Sequence, residues 1–178
     1  MVGAVTAELW LVRHGETEWT CAGRFCGRSD PPLTDAGRAA ARALRADLAG
    51  ESFDRFVSSP SLRAVETARL AYGEPATDPR LHELDFGELE GRRWDDCTDD
   101  LRRQLLDYDG FCAPGGESVA ALGERVLAAV GDLGPGKHLV VSHGGVIRFL
   151  LGRASESAYP QPASLTRVEI SAGGVRLL

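Results

Sequence analysis

The chain has 178 residues, 43% of them hydrophobic and 26% charged, with a formal net charge of -6. That length supports one well-buried core and is short for two full domains. The acidic balance argues against nucleic acid or an anionic membrane surface as the main partner, so an anionic substrate must be attracted locally.

No apolar run approaches the ~20 residues of a membrane span, and the N-terminus lacks a cationic region followed by an apolar stretch. Cys21, Cys26, Cys97 and Cys112 form no CxxC pair and no disulfide-dense spacing. The expectation is a cytoplasmic protein with free thiols and no membrane partner.

Residues 9–12 (LWLV) are an apolar run too short for a helix and read as a buried strand, which ends abruptly in Arg13, His14 and Gly15. A cation and an imidazole then sit at a strand's carboxyl end, where open α/β sheets bind ligands. Gly15 allows a sharp turn or close backbone approach. The stretch reads either as an anion site with a reactive histidine or as an ordinary strand exit. Loop 20–33, punctuated by Gly23, Gly27, Pro31 and Pro32, carries Arg24 and Arg28. It folds back as a lid or specificity arm, or its arginines are simply solvated. Thr34 caps a helix predicted over 35–49, whose apolar face is Gly37, Ala40, Ala41, Leu44 and Leu48, and Gly50 ends it.

A second strand over 53–57 runs into Ser58, Ser59 and Pro60, where Ser59 suits the cap and Pro60 the first helical position. Arg63 falls in that helix's first turn, beside N–H groups that favour anions, as a phosphate contact or as a plain surface arginine. Residues 79–91 (PRLHELDFGELEG) are acidic and turn-rich, placing Glu83, Asp85, Glu88 and Glu90 close together beside His82. One of these acids can serve as a proton donor. A short amphipathic helix is predicted over 94–106, a turn at 113–116, and a core helix over 118–133 from the stripe Val119, Leu122, Val126, Val130 and Leu133.

Residues 138–145 (HLVVSHGG) repeat the grammar of the first strand, an apolar run ending in His143 and followed by Gly144 and Gly145, with a helix over 146–151. Two strands thereby bring two imidazoles to one sheet edge. Segments 165–170 and 175–178 read as an edge hairpin, which leaves a strand that a second copy can pair with, so a homodimer is allowed. No repeat or linker interrupts residues 1–178. The expected architecture is a single α/β domain with a mostly parallel central sheet, helices on both faces and a C-terminal edge hairpin.

The ordered set of a strand ending in RHG, then SSPxxRAxxTA, then xExxxGxxEG, then a strand ending in SHGG, is similar to the histidine phosphatase superfamily. That group includes cofactor-dependent phosphoglycerate mutases and many phosphomonoesterases. The resemblance runs over residues 9–149, and LVRHGETEW is its most specific element. It implies a phosphoglycerate mutase-like fold, His14 as the nucleophile that forms a phosphohistidine, Arg13, Arg63 and His143 around the phosphoryl group, and Glu83 as the acid for the leaving oxygen. Thr20, Arg24, Cys26, Gly27 and Gly144 join Arg13 and Arg63 in the expected substrate-binding set, with neither metal nor cofactor. Thr20 stands where the family often has Asn, Cys26 where Gln is common, and His82 where Arg is common.

Elementary chemistry agrees with these roles. Phosphoryl transfer spreads charge over three oxygens, which guanidiniums stabilise bidentately. The attacking imidazole must be neutral, and neighbouring arginines favour that form. An alkoxide leaving group needs an acid, whose conjugate base can then activate water. The segment HELDFGELEG is similar to the phosphatase-like branch, and the chain has little room for the insertion of glycolytic mutases, which favours net hydrolysis of a small phosphomonoester: broad-specificity, sugar-phosphate or α-ribazole-phosphate type.

Competing patterns are weaker. Cys97 and Arg103 are spaced as Cys-x5-Arg, but Asp99 and Asp100 lie between them and no glycine forms a cradle. Asp107 and Asp109 make a DxD, but behind a helix-like rather than strand-like segment. His14, His82, His138 and His143 lack metal-ligand spacing. A non-catalytic module that binds phosphorylated ligands is the alternative from another class, distinguishable by the absence of phosphate release.

Overall fold

The computed structural model describes residues 6–152 and 159–178. Among these, one sheet runs through the whole chain in the order β3-β2-β4-β1-β5-β6. The strands are β1 (Ala7–Arg13), β2 (Arg55–Ser58), β3 (Ala76–Thr77), β4 (Gly136–Ser142), β5 (Leu165–Ser171) and β6 (Gly174–Leu177). β1, β2, β3 and β4 pair in parallel, whereas β5 runs antiparallel to β1 and forms the expected edge hairpin with β6. The helices are α1 (Glu18–Cys21), α2 (Asp35–Asp47), α3 (Leu62–Ala71), α4 (Asp99–Asp107), α5 (Val119–Leu133) and α6 (Gly144–Gly152).

Alternation along the central strands builds two cores. Leu9 and Leu11 of β1 and Val140 of β4 face α5, α6 and segment 81–113, while Trp10, Val12, Leu139 and Val141 face α2 and α3. A strand buried on both sides is apolar along its middle, as LWLV of β1 and LVV (139–141) of β4 are. Adding about 25 cal/mol for each Å² of apolar area hidden, these two strands anchor the fold.

Three central strands stop at the same edge. The Ser59 N–H donates to the Val141 carbonyl at 2.9 Å and the His14 N–H to the Ser142 carbonyl at 2.9 Å, so Ser59, His143 and His14 leave β2, β4 and β1 side by side. The shared-edge expectation for the two imidazoles therefore holds in the structure.

Strand β2 starts two residues later and helix α6 two residues earlier than the sequence reading, and two further helices differ more. The predicted helix over 94–106 is a 3₁₀ turn at Trp94–Asp96 followed by α4, because Cys97 is buried between them and the Thr98 hydroxyl accepts from the Leu101 N–H at 3.3 Å to begin a new helix. Helix α3 starts at Leu62 rather than at Pro60, and neither Ser59 nor Ser61 caps it. The Asp30 carboxylate reaches across from loop 20–33 instead, accepting from the Leu62 N–H at 2.6 Å. The anion-favouring helix start is thus occupied by the protein's own carboxylate.

Candidate active site

His14 is 3% exposed at the end of β1. Its Nδ1 lies 2.8 Å from the Gly15 carbonyl, which can only accept, so Nδ1 carries the proton and the Nε2 lone pair is free. Burial, then the charges of Arg63 and Arg13, hold its pKa well below the ordinary imidazole value. A neutral imidazole with an available Nε2 is a nucleophile. The Gly15 N–H donates to the Thr67 hydroxyl at 2.9 Å, and that hydroxyl donates to the Arg63 carbonyl at 2.7 Å, so α3 fixes the turn after His14. A side chain at Gly15 would meet the Gly37 carbonyl at 2.7 Å, which is why glycine follows the histidine.

His143 lies edge-on to His14, with ring centroids 5.2 Å apart. Arg63 donates from Nη2 to His143 Nδ1 at 3.2 Å. A guanidinium has no lone pair to offer, so Nδ1 is the acceptor, and the Nε2–H of neutral His143 donates to the Ser59 hydroxyl at 2.7 Å. Burial first, then Arg63, keeps this second imidazole neutral as well.

Arg63 is fully buried, not a surface arginine. Its Nη1 donates to the Ser29 carbonyl at 2.7 Å and the Asp30 carboxylate at 3.0 Å, and its Nη2 also serves the Gly27 and Cys26 carbonyls at 3.0 and 3.3 Å. Arg13 donates from Nη1 to the Pro160 carbonyl at 2.7 Å and lies over the Tyr159 ring, 4.9 Å from its centroid. Among the described residues, the Nε–H of each guanidinium is buried without a partner. An unmet donor on a buried cation costs about 1–3 kcal/mol or more, and an oxyanion would relieve it.

Glu83 is 4% exposed, and burial raises its carboxyl pKa above the ordinary value against the N–H groups of Gly145 and Leu84 and the charges of Arg63 and Arg13. Those donors approach at 2.9 and 2.8 Å and fix the carboxyl group. The segment behind it is clamped by Arg125 of α5, which donates to the carbonyls of Arg80, His82 and Glu83 and pairs with Glu117. A rigidly held carboxyl whose charged form burial disfavours is suited to proton donation.

A cavity of about 600 Å³ opens beside these groups. Arg13, Glu16, Thr20, Arg24 and Gly145 line it, with Phe25, Phe86, Trp94, Leu105, Leu106, Tyr108 and Arg148 as the remainder of one wall. Thr20 is therefore at the cavity as expected, although its hydroxyl is engaged with the Thr17 backbone. Arg24 also lines it, with Nη1 on the Gly91 carbonyl at 2.7 Å.

Three expected substrate contacts take other roles. Cys26 and Gly27 supply carbonyls to Arg63 and lie outside the cavity wall, because the Gly27 N–H is tied to the Glu90 carboxylate at 2.9 Å. Gly144 abuts the Tyr159 hydroxyl, whereas its neighbour Gly145 lines the cavity. The Cys-x5-Arg pattern is not assembled: the Cys97 thiol points to the Arg93 carbonyl, and Arg103 is exposed and paired with Asp100.

Sequence reading missed Thr67, Asp30, Tyr108 and Arg148. Thr67 was legible in principle, since it lies one helical turn beyond Arg63. Tyr108 carries a strained φ of +64° at the end of α4, which aims its hydroxyl at the Gly145 carbonyl at 2.9 Å. Arg148 stacks on its ring at 4.2 Å and donates to the Leu105 and Leu106 carbonyls.

Comparison with known proteins agrees with this geometry. The profile of the histidine phosphatase superfamily (branch 1) matches residues 9–178. A probable phosphoglycerate mutase GpmB of Yersinia pestis (strain Pestoides F) is 38% identical over 156 residues, covering 81% of this chain and 73% of the relative. The crystal structure of a phosphoglycerate mutase from Thermus thermophilus superposes with a TM-score of 0.86 at 40% identity, covering 96% of each chain. A provisionally assigned alpha-ribazole-5'-P phosphatase from Escherichia coli superposes with a TM-score of 0.79 at 29% identity, covering 97% of this chain and 94% of the other. With a neutral, buried histidine at the end of its first strand, facing two arginines and a second imidazole, the chain belongs to the histidine phosphatase superfamily.

Proposed function

We propose that the chain is a phosphomonoester hydrolase that works through a phosphohistidine at His14. The observation that carries this reading is the free Nε2 of a neutral His14, set among two buried guanidiniums that each retain an unpartnered Nε–H. His14 Nε2 attacks phosphorus, the bond to the ester oxygen breaks, and Glu83 gives its proton to the departing alkoxide. Water then attacks the phosphorus of phospho-His14, its proton passes to the Glu83 carboxylate, and the P–N bond breaks to release inorganic phosphate and restore the imidazole. Arg13 and Arg63 balance the charge on the phosphoryl oxygens throughout.

Hydrolysis is favoured over mutase chemistry by the cavity wall. A mutase must hold a second anionic group while the phosphoryl group is passed on. Here Phe25, Phe86, Trp94, Leu105 and Leu106 present hydrocarbon, and Arg24 and Arg148 both donate to backbone carbonyls. The mutase reading is supported by the names of the Yersinia and Thermus relatives and remains the second one.

The test is phosphate release from p-nitrophenyl phosphate, 3-phosphoglycerate, α-ribazole phosphate and fructose bisphosphate, with EDTA in excess and a His14→Ala control. Release that survives EDTA and falls more than about 10⁴-fold in the variant supports hydrolysis through His14. Interconversion of phosphoglycerates primed by the bisphosphorylated compound, with negligible phosphate release, would establish the mutase reading. Saturable binding with neither reaction would indicate a binding module.

A further inference from the structure

The hydroxyl that receives the His143 Nε2–H is the first link of a chain that leaves the site. Ser59 Oγ donates to Ser61 Oγ at 3.3 Å, and Ser61 Oγ lies 3.2 Å from Nδ1 of His82. Ser59 and Ser61 are buried, whereas His82 is half-buried and reaches toward solvent. We propose that His82 is a positioning residue for His143, acting through the hydroxyls of Ser61 and Ser59. The assignment rests on the hydrolase reading for its kinetic consequence but on geometry alone for the coupling.

The direction of the chain is fixed at its inner end. Arg63 can only donate to His143 Nδ1, so His143 Nε2 must donate to Ser59. Ser59 then donates outward to Ser61, and Ser61 donates to His82 Nδ1 in the tautomer that carries its proton on Nε2. Protonating His82 places a second donor opposite Ser61. Turning every hydroxyl round would demand an unprotonated Nε2 on His143, and therefore a protonated Nδ1 facing the Arg63 guanidinium. That arrangement opposes two donors in a buried site, so the inner links keep their direction, and Ser61, accepting from both Ser59 and a cationic His82, holds Ser59 less tightly and loosens the anchor of His143.

Ser61 is in the wrong place for an idle hydroxyl. It occupies the cap position of α3, where a serine ordinarily accepts a backbone N–H for about 1 kcal/mol, yet it makes no such bond. Asp30 performs the capping, and the Ser61 hydroxyl is free to link His82 to Ser59.

The groups that set the charge around His82 come from every side. Arg63 projects from α3. Arg28, paired with Asp85, and Asp30 belong to loop 20–33, and Arg125 of α5, paired with Glu117, donates to the His82 carbonyl. Burial and the three arginines hold its pKa below the ordinary value, with Asp30 opposing, so neutral His82 is the form present at neutral pH.

Two measurements test this. Ring ¹⁵N NMR of the histidines in the whole chain, titrated with pH, is expected to show a step in the His143 resonances at the midpoint of His82. In Ser61→Ala the His82 step remains and the His143 step disappears. In parallel, kcat/KM for an aryl phosphate is expected to fall about tenfold one pH unit below that midpoint in the parent, and to stay level there in His82→Asn, which keeps an acceptor near Nδ1 but does not titrate. A His143 step that persists in Ser61→Ala, or none in the parent, overturns the assignment, as does an unchanged acid limb in His82→Asn. A chain that releases no phosphate counts against hydrolysis, and the NMR arm then decides the role of His82.

Discussion

The two imidazoles and Glu83 form a set in which burial disfavours the charged form of each group. His14 and His143 are held below the usual imidazole range and Glu83 above the usual carboxylate range, all chiefly by burial. For the proposed hydrolase, that pairing supplies a neutral nucleophile and a proton donor. Glu83→Gln keeps the shape but has no proton to give. It is expected to slow alkyl phosphates at least about 10²-fold while slowing p-nitrophenyl phosphate, whose leaving group needs little protonation, only a few-fold. Equal losses on the two esters in steady-state assays would remove Glu83 from the acid role. The same group predicts an alkaline limb for alkyl esters: activity is lost as pH rises through the raised pKa of Glu83, and this limb is shallower with aryl esters. At this scale the sequence was most informative where chemistry dictates residue type. His14, Arg13, Arg63, Glu83 and His143 were named from pattern and resemblance, and all five lie buried around one sheet edge. Cys26 and Gly27 turn carbonyls toward Arg63 and Gly144 abuts Tyr159, contacts that spacing along a loop does not reveal.

Helix α3 is the element that organises the site, carrying Arg63 and Thr67 on one side and receiving its cap from Asp30. Asp30 also pairs with Arg63 at 3.0 Å, so one carboxylate closes the helix start and anchors the buried cation. Asp30→Ala is expected to destabilise the protein by about 2 kcal/mol, from a lost cap and a cation left with one partner fewer. For a chain of this size that is a drop in Tm of about 4–8 °C, measurable by calorimetry. A Tm within about 1 °C of the parent would mean that another group caps α3. A capping residue some thirty positions away along the chain has no local signature, which is why Ser59 and Pro60 were the natural reading. Helix α4 was misread for a related reason: the apolar stripe of 94–106 continues through the buried Cys97, but the backbone between Trp94–Asp96 and Thr98 does not stay helical. Strands β1 and β4, by contrast, were plain in sequence because burial on both faces makes their middle residues, 9–12 and 139–141, all apolar.

Across the molecule, three histidines are held neutral by the fold: His14, His143 and His82. Their folded pKa values lie below the unfolded value of about 6.5, so below that pH the unfolded chain takes up protons that the folded chain refuses. Stability is therefore lost as pH falls from about 6.5, at up to ~1.4 kcal/mol per pH unit for each such histidine. Glu83 has the opposite sign. Its raised pKa means that the folded chain binds a proton between about 4.5 and its folded value, which offsets part of the loss in that window. Urea denaturation at a series of pH values is expected to show midpoints that decline below about pH 6.5, more gently in His14→Asn. A flat profile between about pH 7.5 and 5.5 would contradict the buried neutral histidines. The overall architecture was legible because one alternating pattern on each central strand specifies both faces of the sheet.

The carbonyls of Cys26, Gly27 and Ser29 and the carboxylate of Asp30 all converge on Arg63, so the loop that lends Thr20, Arg24 and Phe25 to the cavity also cradles the buried Arg63 cation. That double duty limits how the protein can change its diet. For the proposed hydrolase, insertions between Cys26 and Asp30, or loss of the Asp30 carboxylate, are expected to lower turnover of every substrate alike, whereas exchanges in the hydrocarbon wall of Phe86, Trp94, Leu105 and Leu106 leave the Arg63 contacts in place. New specificities in a library of variants are accordingly expected to map to that wall, and inactive clones to the loop.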